Sequence, residues 1–284
     1  MSVGAGPMAT GDTPGVGRRR EGWRRFAPPW ARILAGGVAL FLLVEKTLSA
    51  TGNPNYVPSV IVLGAFTVPV AFVAYVDDQP AGFDVPLPTL AVCALWGGVL
   101  GVVIAGVLEA DTLRDLGVLP KLGIGLIEES AKLAVPLVLL FVVRRYREPV
   151  DGILVGVAVG MGFAALETMG YGFVALLASR GDVGDVEELL LLRGLLSPAG
   201  HGAWTGLACA AIWRAAARPS GPTVRGALVT FVLVVVLHAA WDGFGTLPGY
   251  VVLAAISLTL LHRELRRAVR ARRRPLPPGQ PGSS

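Results

Sequence analysis

The sequence predicts an all-helical, polytopic transmembrane bundle of about eight spans, with both termini cytoplasmic. Three observations carry that prediction. Apolar side chains make up 53% of the 284 residues and charged ones only 16%, against about 25% charged in an ordinary soluble domain. The apolar residues come in runs of about 20, the length of helix that crosses a hydrocarbon core about 30 Å thick. The basic residues gather on one side of those runs. Together these features exclude a water-soluble globular domain, a disordered chain and a collagen-like fibre. The two cysteines, Cys93 and Cys209, both lie in apolar stretches, which leaves no disulfide scaffold and no CxxC metal module.

Residues 1–30 read as a disordered basic tail rich in Gly, Pro and Arg. Ala31–Ala50 is the first span. An arginine run ahead of an apolar stretch also opens a signal peptide, but this stretch is longer than a signal core and no clear small-residue cleavage site follows it. Tyr56–Val76 and Thr89–Leu108 are the second and third spans, and neither contains a charge. Leu122–Val143 is the fourth. The fifth, Gly152–Leu177, carries Gly152, Gly156 and Gly160, a small-xxx-small stripe that lets a neighbouring helix approach closely. Leu195–Trp213, Gly226–Phe244 and the short Tyr250–Leu261 complete the set. The membrane domain is thus 31–262, with its motif-bearing core at 120–246, and 263–284 is a second basic, proline-rich cytoplasmic tail.

With the N-terminus inside, nineteen arginines fall in inside segments and only Arg114, Lys121, Arg180 and Arg193 in outside loops. One loop runs against this: residues 77–88 hold three aspartates and no basic residue. The arginine-rich ends are expected on anionic lipid headgroups rather than on nucleic acid. The expected location is the cell membrane, as a multi-pass protein.

Charged groups then stand where the bilayer disfavours them. The fourth span carries Glu128, Glu129 and Lys132, the fifth Glu167, the sixth His201, and the seventh His238 and Asp242. Four unpaired carboxylates and a lysine would cost on the order of 15 kcal/mol at the middle of spans. At 1.5 Å per residue, Glu128 lies roughly 9 Å below the outer end of its span. Glu167, His201, His238 and Asp242 reach a similar depth on the next three spans, one layer in the outer half of the bilayer. Glu128 and Lys132 share a helix face, as do His238 and Asp242. Glu129 points elsewhere on its helix.

Glu128, Glu129, Glu167 and Asp242 with Lys132 leave three net negative charges in that layer, so protons or a divalent cation must neutralise part of it. A glutamate beside imidazoles suits activation of water as a general base. Histidines with carboxylates equally suit Zn2+. Both routes lead to hydrolysis. HExxH, GxSxG and a phosphate-binding glycine loop are all missing, and Ser130 has no base in its own motif.

The series EESAK (128–132), FAALE (163–167), His201 and HAAWD (238–242) resembles the PrsW family of intramembrane proteases, relatives of the type II CAAX prenyl endopeptidases. The resemblance spans roughly residues 120–246. It implies a multi-spanning protease that cuts a single-span membrane protein, such as an anti-sigma factor, near its extracytoplasmic side. It implies that Glu128 activates the attacking water, with Glu129 or Glu167 assisting or binding metal. It gives His238 the role of oxyanion stabiliser or metal ligand, Asp242 that of orienting it, and His201 that of further ligand or proton carrier. The implied metal set is Glu167, His201 and His238. The cofactor is Zn2+, or there is none and a glutamate alone activates water. This chain has Thr168 where the family pattern has Asn after the glutamate, a departure that bears on substrate fit. The rival reading is a proton- or ion-coupled transporter, although repeated halves and broken helices at midplane are not evident. A third is an inactive member that binds membrane proteins without cutting them.

Overall fold

The structure, a computed structural model, describes residues 27–112 and 120–272. The basic tails expected at 1–30 and 263–284 therefore lie outside the described residues up to 26 and from 273 onward. Among the described residues every regular element is helical. Five helices are long and apolar enough to cross a membrane: Pro29–Thr51, Pro54–Asp77, Leu87–Ala110, Pro149–Ala178 and Gly221–Phe244. The protein is a multi-pass, all-helical membrane protein.

Helices α1 (Pro29–Thr51) and α2 (Val57–Asp77) run antiparallel, with Trp30 at the start of α1 meeting Tyr75 near the end of α2. α3 (Leu87–Thr112) follows a loop whose Asp84 backbone N–H donates to Asp151 Oδ1 at 2.9 Å. The spans expected at Leu122–Val143 and Leu195–Trp213 are not continuous helices. The first is α4 (Pro120–Lys132), a turn at Leu133, the single turn α5 (Ala134–Leu137) and a π-helical turn over Val138–Val143. Pro136 is the cause: it has no N–H for the Lys132 carbonyl four residues back. The second expected span is α7 (Val183–Leu196), a π-helical turn over Pro198–Gly202 and α8 (Ala203–Ala217). Pro198 withholds its donor from the Gly194 carbonyl, which accepts the Ser197 hydroxyl instead at 2.8 Å. Gly200 leaves helical geometry at φ −92°, ψ −112°.

α6 (Pro149–Ala178) is the central helix, packed against α2, α3, α7 and α8. Its glycine stripe does what the spacing predicts. A Cβ at Gly156 would sit 2.5 Å from the Thr205 carbonyl oxygen, and one at Gly160 would collide with that of His201. α8 and the turn before it can therefore lie directly on α6. α9 (Gly221–Phe244) packs on α4 and α8, and α10 (Leu247–Arg272) on α8 and α9. α10 starts before Tyr250 and stays helical through Arg272, beyond the end at Leu261 drawn from hydropathy. Its continuation is tied down by charge: Glu264 pairs with Arg214 of α8 at 2.5 Å and with Arg267 at 2.6 Å.

Candidate active site

Four elements converge: the C-terminal half of α4, the middle of α6, the turn between α7 and α8, and the last two turns of α9. They carry every charged residue that the sequence placed in one layer. Lys132, fully buried, points its ammonium at three acceptors: Glu128 Oε2 at 3.0 Å, Glu129 Oε1 at 2.8 Å and His201 Nδ1 at 2.8 Å. Its three N–H bonds are thus all used. The Phe163 ring lies 4.0 Å below the ammonium.

An ammonium can only donate, so His201 Nδ1 accepts and the ring carries its proton on Nε2. That nitrogen faces Glu167 Oε2 at 3.1 Å. The same oxygen accepts from Arg193 Nη2 at 2.6 Å, while Arg193 Nε reaches Thr168 Oγ1 at 3.4 Å and the guanidinium covers the Tyr171 ring at 4.1 Å. By hydropathy alone Arg193 reads as an outside-loop charge. It belongs to α7, and its pairing with Glu167 is a connection that the span boundaries concealed. An arginine in the run ELLLLRGLL is the signal that could have found it.

His238 Nδ1 donates to Glu129 Oε1 at 2.9 Å. Its Nε2 lies 3.6 Å from both Glu128 Oε2 and Asp242 Oδ2, beyond hydrogen-bond length. The carboxylate that orients His238 in this structure is therefore Glu129, which the sequence had turned to another helix face. Trp204, also unmarked by any motif, packs against both histidines, whose rings lie 5.5 Å apart. Its ring centre is 5.6 Å from that of His201 and 5.0 Å from that of His238. Its indole N–H donates to the buried Ser257 Oγ of α10 at 2.9 Å.

These side chains form one wall of a cavity of about 650 Å³, which Glu128, Glu167, His201, His238 and Asp242 all line. Glu129 stands behind them, 1% exposed, and its Oε2 is buried without a hydrogen-bond partner among the described residues. Tyr171 and Trp241 also line the cavity. Among the described residues, one group brings three potential metal-ligand atoms within 4.8 Å of one another: Glu128, His201 and His238. Glu167, in the metal set that the resemblance implies, pairs with Arg193 Nη2 and faces His201 Nε2.

Helical spans and a cavity of about 650 Å³ walled by carboxylates and imidazoles describe a membrane protein with a polar centre inside its helix bundle, chemistry suited to hydrolysis. The model of the PrsW family of intramembrane metalloproteases matches residues 85–261, more than half of the chain and all four site elements. The chain belongs to that family, and it is a membrane protease by membership. No curated protein and no solved structure matches it.

Proposed function

We propose that this protein is an endopeptidase of the cell membrane that cuts a single-span membrane protein, such as an anti-sigma factor, near its extracytoplasmic side. The observation that carries the reading is the trio of Glu128, His201 and His238, with donor atoms within 4.8 Å of one another on the cavity wall. The arginine distribution supports a topology with both termini in the cytoplasm, about eight crossings and the cavity in the outer half of the bilayer. The basic ends would rest on anionic headgroups.

The donor chemistry fits a divalent metal. With its proton on Nδ1, His238 presents the Nε2 lone pair to two carboxylate oxygens at 3.6 Å, so three acceptors face one another. Glu128, Glu129, Glu167 and Asp242 outnumber Lys132 and Arg193 at this centre, and the cavity wall adds Glu109, Asp185 and Glu188 against Lys121, an excess of negative charge that favours a cation. Glu128, His201 and His238 would hold it, His201 through Nδ1 once that nitrogen is released from Lys132, and a carboxylate with two imidazoles suits Zn2+. Such an ion supplies polarisation of the scissile carbonyl and acidification of water.

The protein's own groups supply the rest. Glu129 fixes the His238 ring through Nδ1–H, as carboxylates behind metal-site histidines do. Glu167, pinned by Arg193, fixes His201. Glu128 is the carboxylate whose oxygen shares one cluster with ring nitrogens of both imidazoles, and it takes the proton of the attacking water where glutamate alone is the base. Where Glu128 is a ligand, that proton goes to Asp242, whose side chain is 32% exposed at the cavity.

The test compares cells making the wild type with cells making Glu128→Gln at matched membrane levels, with mass spectrometry quantifying new termini on single-span proteins. A small set of fragments lost in the variant is expected. Identical fragments in both would remove Glu128 from the chemistry. Metal analysis of the active, purified protein then separates the two base assignments: near-stoichiometric zinc favours the ligand role, and full activity without metal favours glutamate-activated water.

A further inference from the structure

His201 has no free ring nitrogen. Nδ1 accepts from Lys132 at 2.8 Å and Nε2 faces Glu167 at 3.1 Å. Glu128 likewise gives Oε2 to Lys132 at 3.0 Å. Two of the three residues that could hold a metal are thus already held by an internal cation. That cation is not adventitious: Lys132 is fully buried, its three N–H bonds are all used, and the Phe163 ring closes its remaining side at 4.0 Å.

We propose that the Lys132 ammonium and a divalent metal ion compete for Glu128 and His201, so that Lys132 is a built-in counter-ion that holds the donor set together without metal and sets how tightly metal binds. The proposal rests on the metal reading of the site. Two physical arguments give its sign. A positive charge a few ångströms from a divalent ion in a poorly solvated site opposes binding strongly. Removing that charge leaves the acceptors it served buried and unpaired, which penalises the metal-free protein. Lys132 is accordingly a positioning residue with opposite effects on the two forms, lowering metal affinity and raising metal-free stability. A lysine that merely pinned helix to helix would raise stability with and without metal alike.

The experiment titrates Zn2+ alone into chelator-treated, detergent-purified wild type and Lys132→Met, reading affinity by calorimetry and thermal stability with and without the ion. In Lys132→Met, Zn2+ is expected to bind about ten-fold tighter or more. Its metal-free melting temperature should fall below that of the wild type, and Zn2+ should restore most of the loss. Equal or weaker Zn2+ binding in the variant would overturn the proposal while leaving the metal reading intact. Absence of Zn2+ binding in both proteins would overturn both.

Should Lys132→Met not fold, the wild type still decides the matter. With three histidines in the chain, the ring nitrogens can be followed by NMR on 15N-histidine-labelled protein. Zn2+ should move the His201 Nδ1 resonance as Lys132 is displaced. Stoichiometric Zn2+ binding with the His201 resonances unmoved would overturn the competition.

Discussion

Helices α1 and α6 have nearly the same mean hydropathy and opposite surroundings: 6% of the apolar window of α1 is buried within the protein, against 83% of that of α6. Apolarity decides that a helix enters the bilayer and says little about where it sits in the bundle. Side-chain size decides the second question. α1 turns Leu40, Leu42 and Leu43 outward, whereas α6 presents Gly152, Gly156 and Gly160 to α8 and the turn before it. Lipid tails are as apolar as leucine, so helices gain by close packing rather than by escape from water. The small residues of α6 provide that packing, and they bring the backbone of His201 against it.

The largest effect comes from breaking this contrast at its densest point. Gly156→Leu places a side chain where a Cβ alone would meet the Thr205 carbonyl at 2.5 Å and Cys209 at 2.8 Å. A loss of about 3 kcal/mol or more is expected, seen as failure to recover folded, monodisperse protein, and with it all cleavage. His238→Gln spares the helix contacts and strikes the site. Cleavage should fall about 100-fold or more, measured on equal amounts of folded protein. Arg193→Met frees Glu167 from its guanidinium and loosens His201. A roughly ten-fold drop in rate is expected, equivalent to about 1.4 kcal/mol, measured on the same substrate. Leu43→Ala, on the outward face of α1, should change stability by less than about 0.5 kcal/mol and leave the rate unaltered. An effect of Leu43→Ala as large as that of Gly156→Leu would erase the contrast.

Much of this was legible in the sequence because the costly residues announce themselves. Glu128, Lys132, Glu167, His201, His238 and Asp242 stand in apolar runs, and their helical spacing puts them on shared faces. The structure brings all of them to one place. The two broken helices were not legible, because hydropathy counts apolar length and is indifferent to where backbone hydrogen bonds fail. Pro136 and Pro198 were in plain view, yet membrane helices often tolerate proline. The breaks matter, since one lies one residue beyond Lys132 and the other contains His201. Arg193 was hidden by the same error: with the span started at Leu195, it fell into a loop. Glu129 was turned away from the site because one helix step is 100°, although i,i+3 spacing still lets it reach Lys132, and an incoming His238 then meets it from α9.

The account stands on the claim that this buried layer, and Glu128 above all, performs hydrolysis. The direct test is cleavage of a substrate identified from the cellular termini, co-reconstituted into liposomes with purified wild type or Glu128→Gln at equal folded protein. The account predicts cleavage by the wild type and a loss of about 100-fold or more in the variant, with both proteins melting cooperatively. Cleavage by Glu128→Gln at the wild-type rate would contradict it.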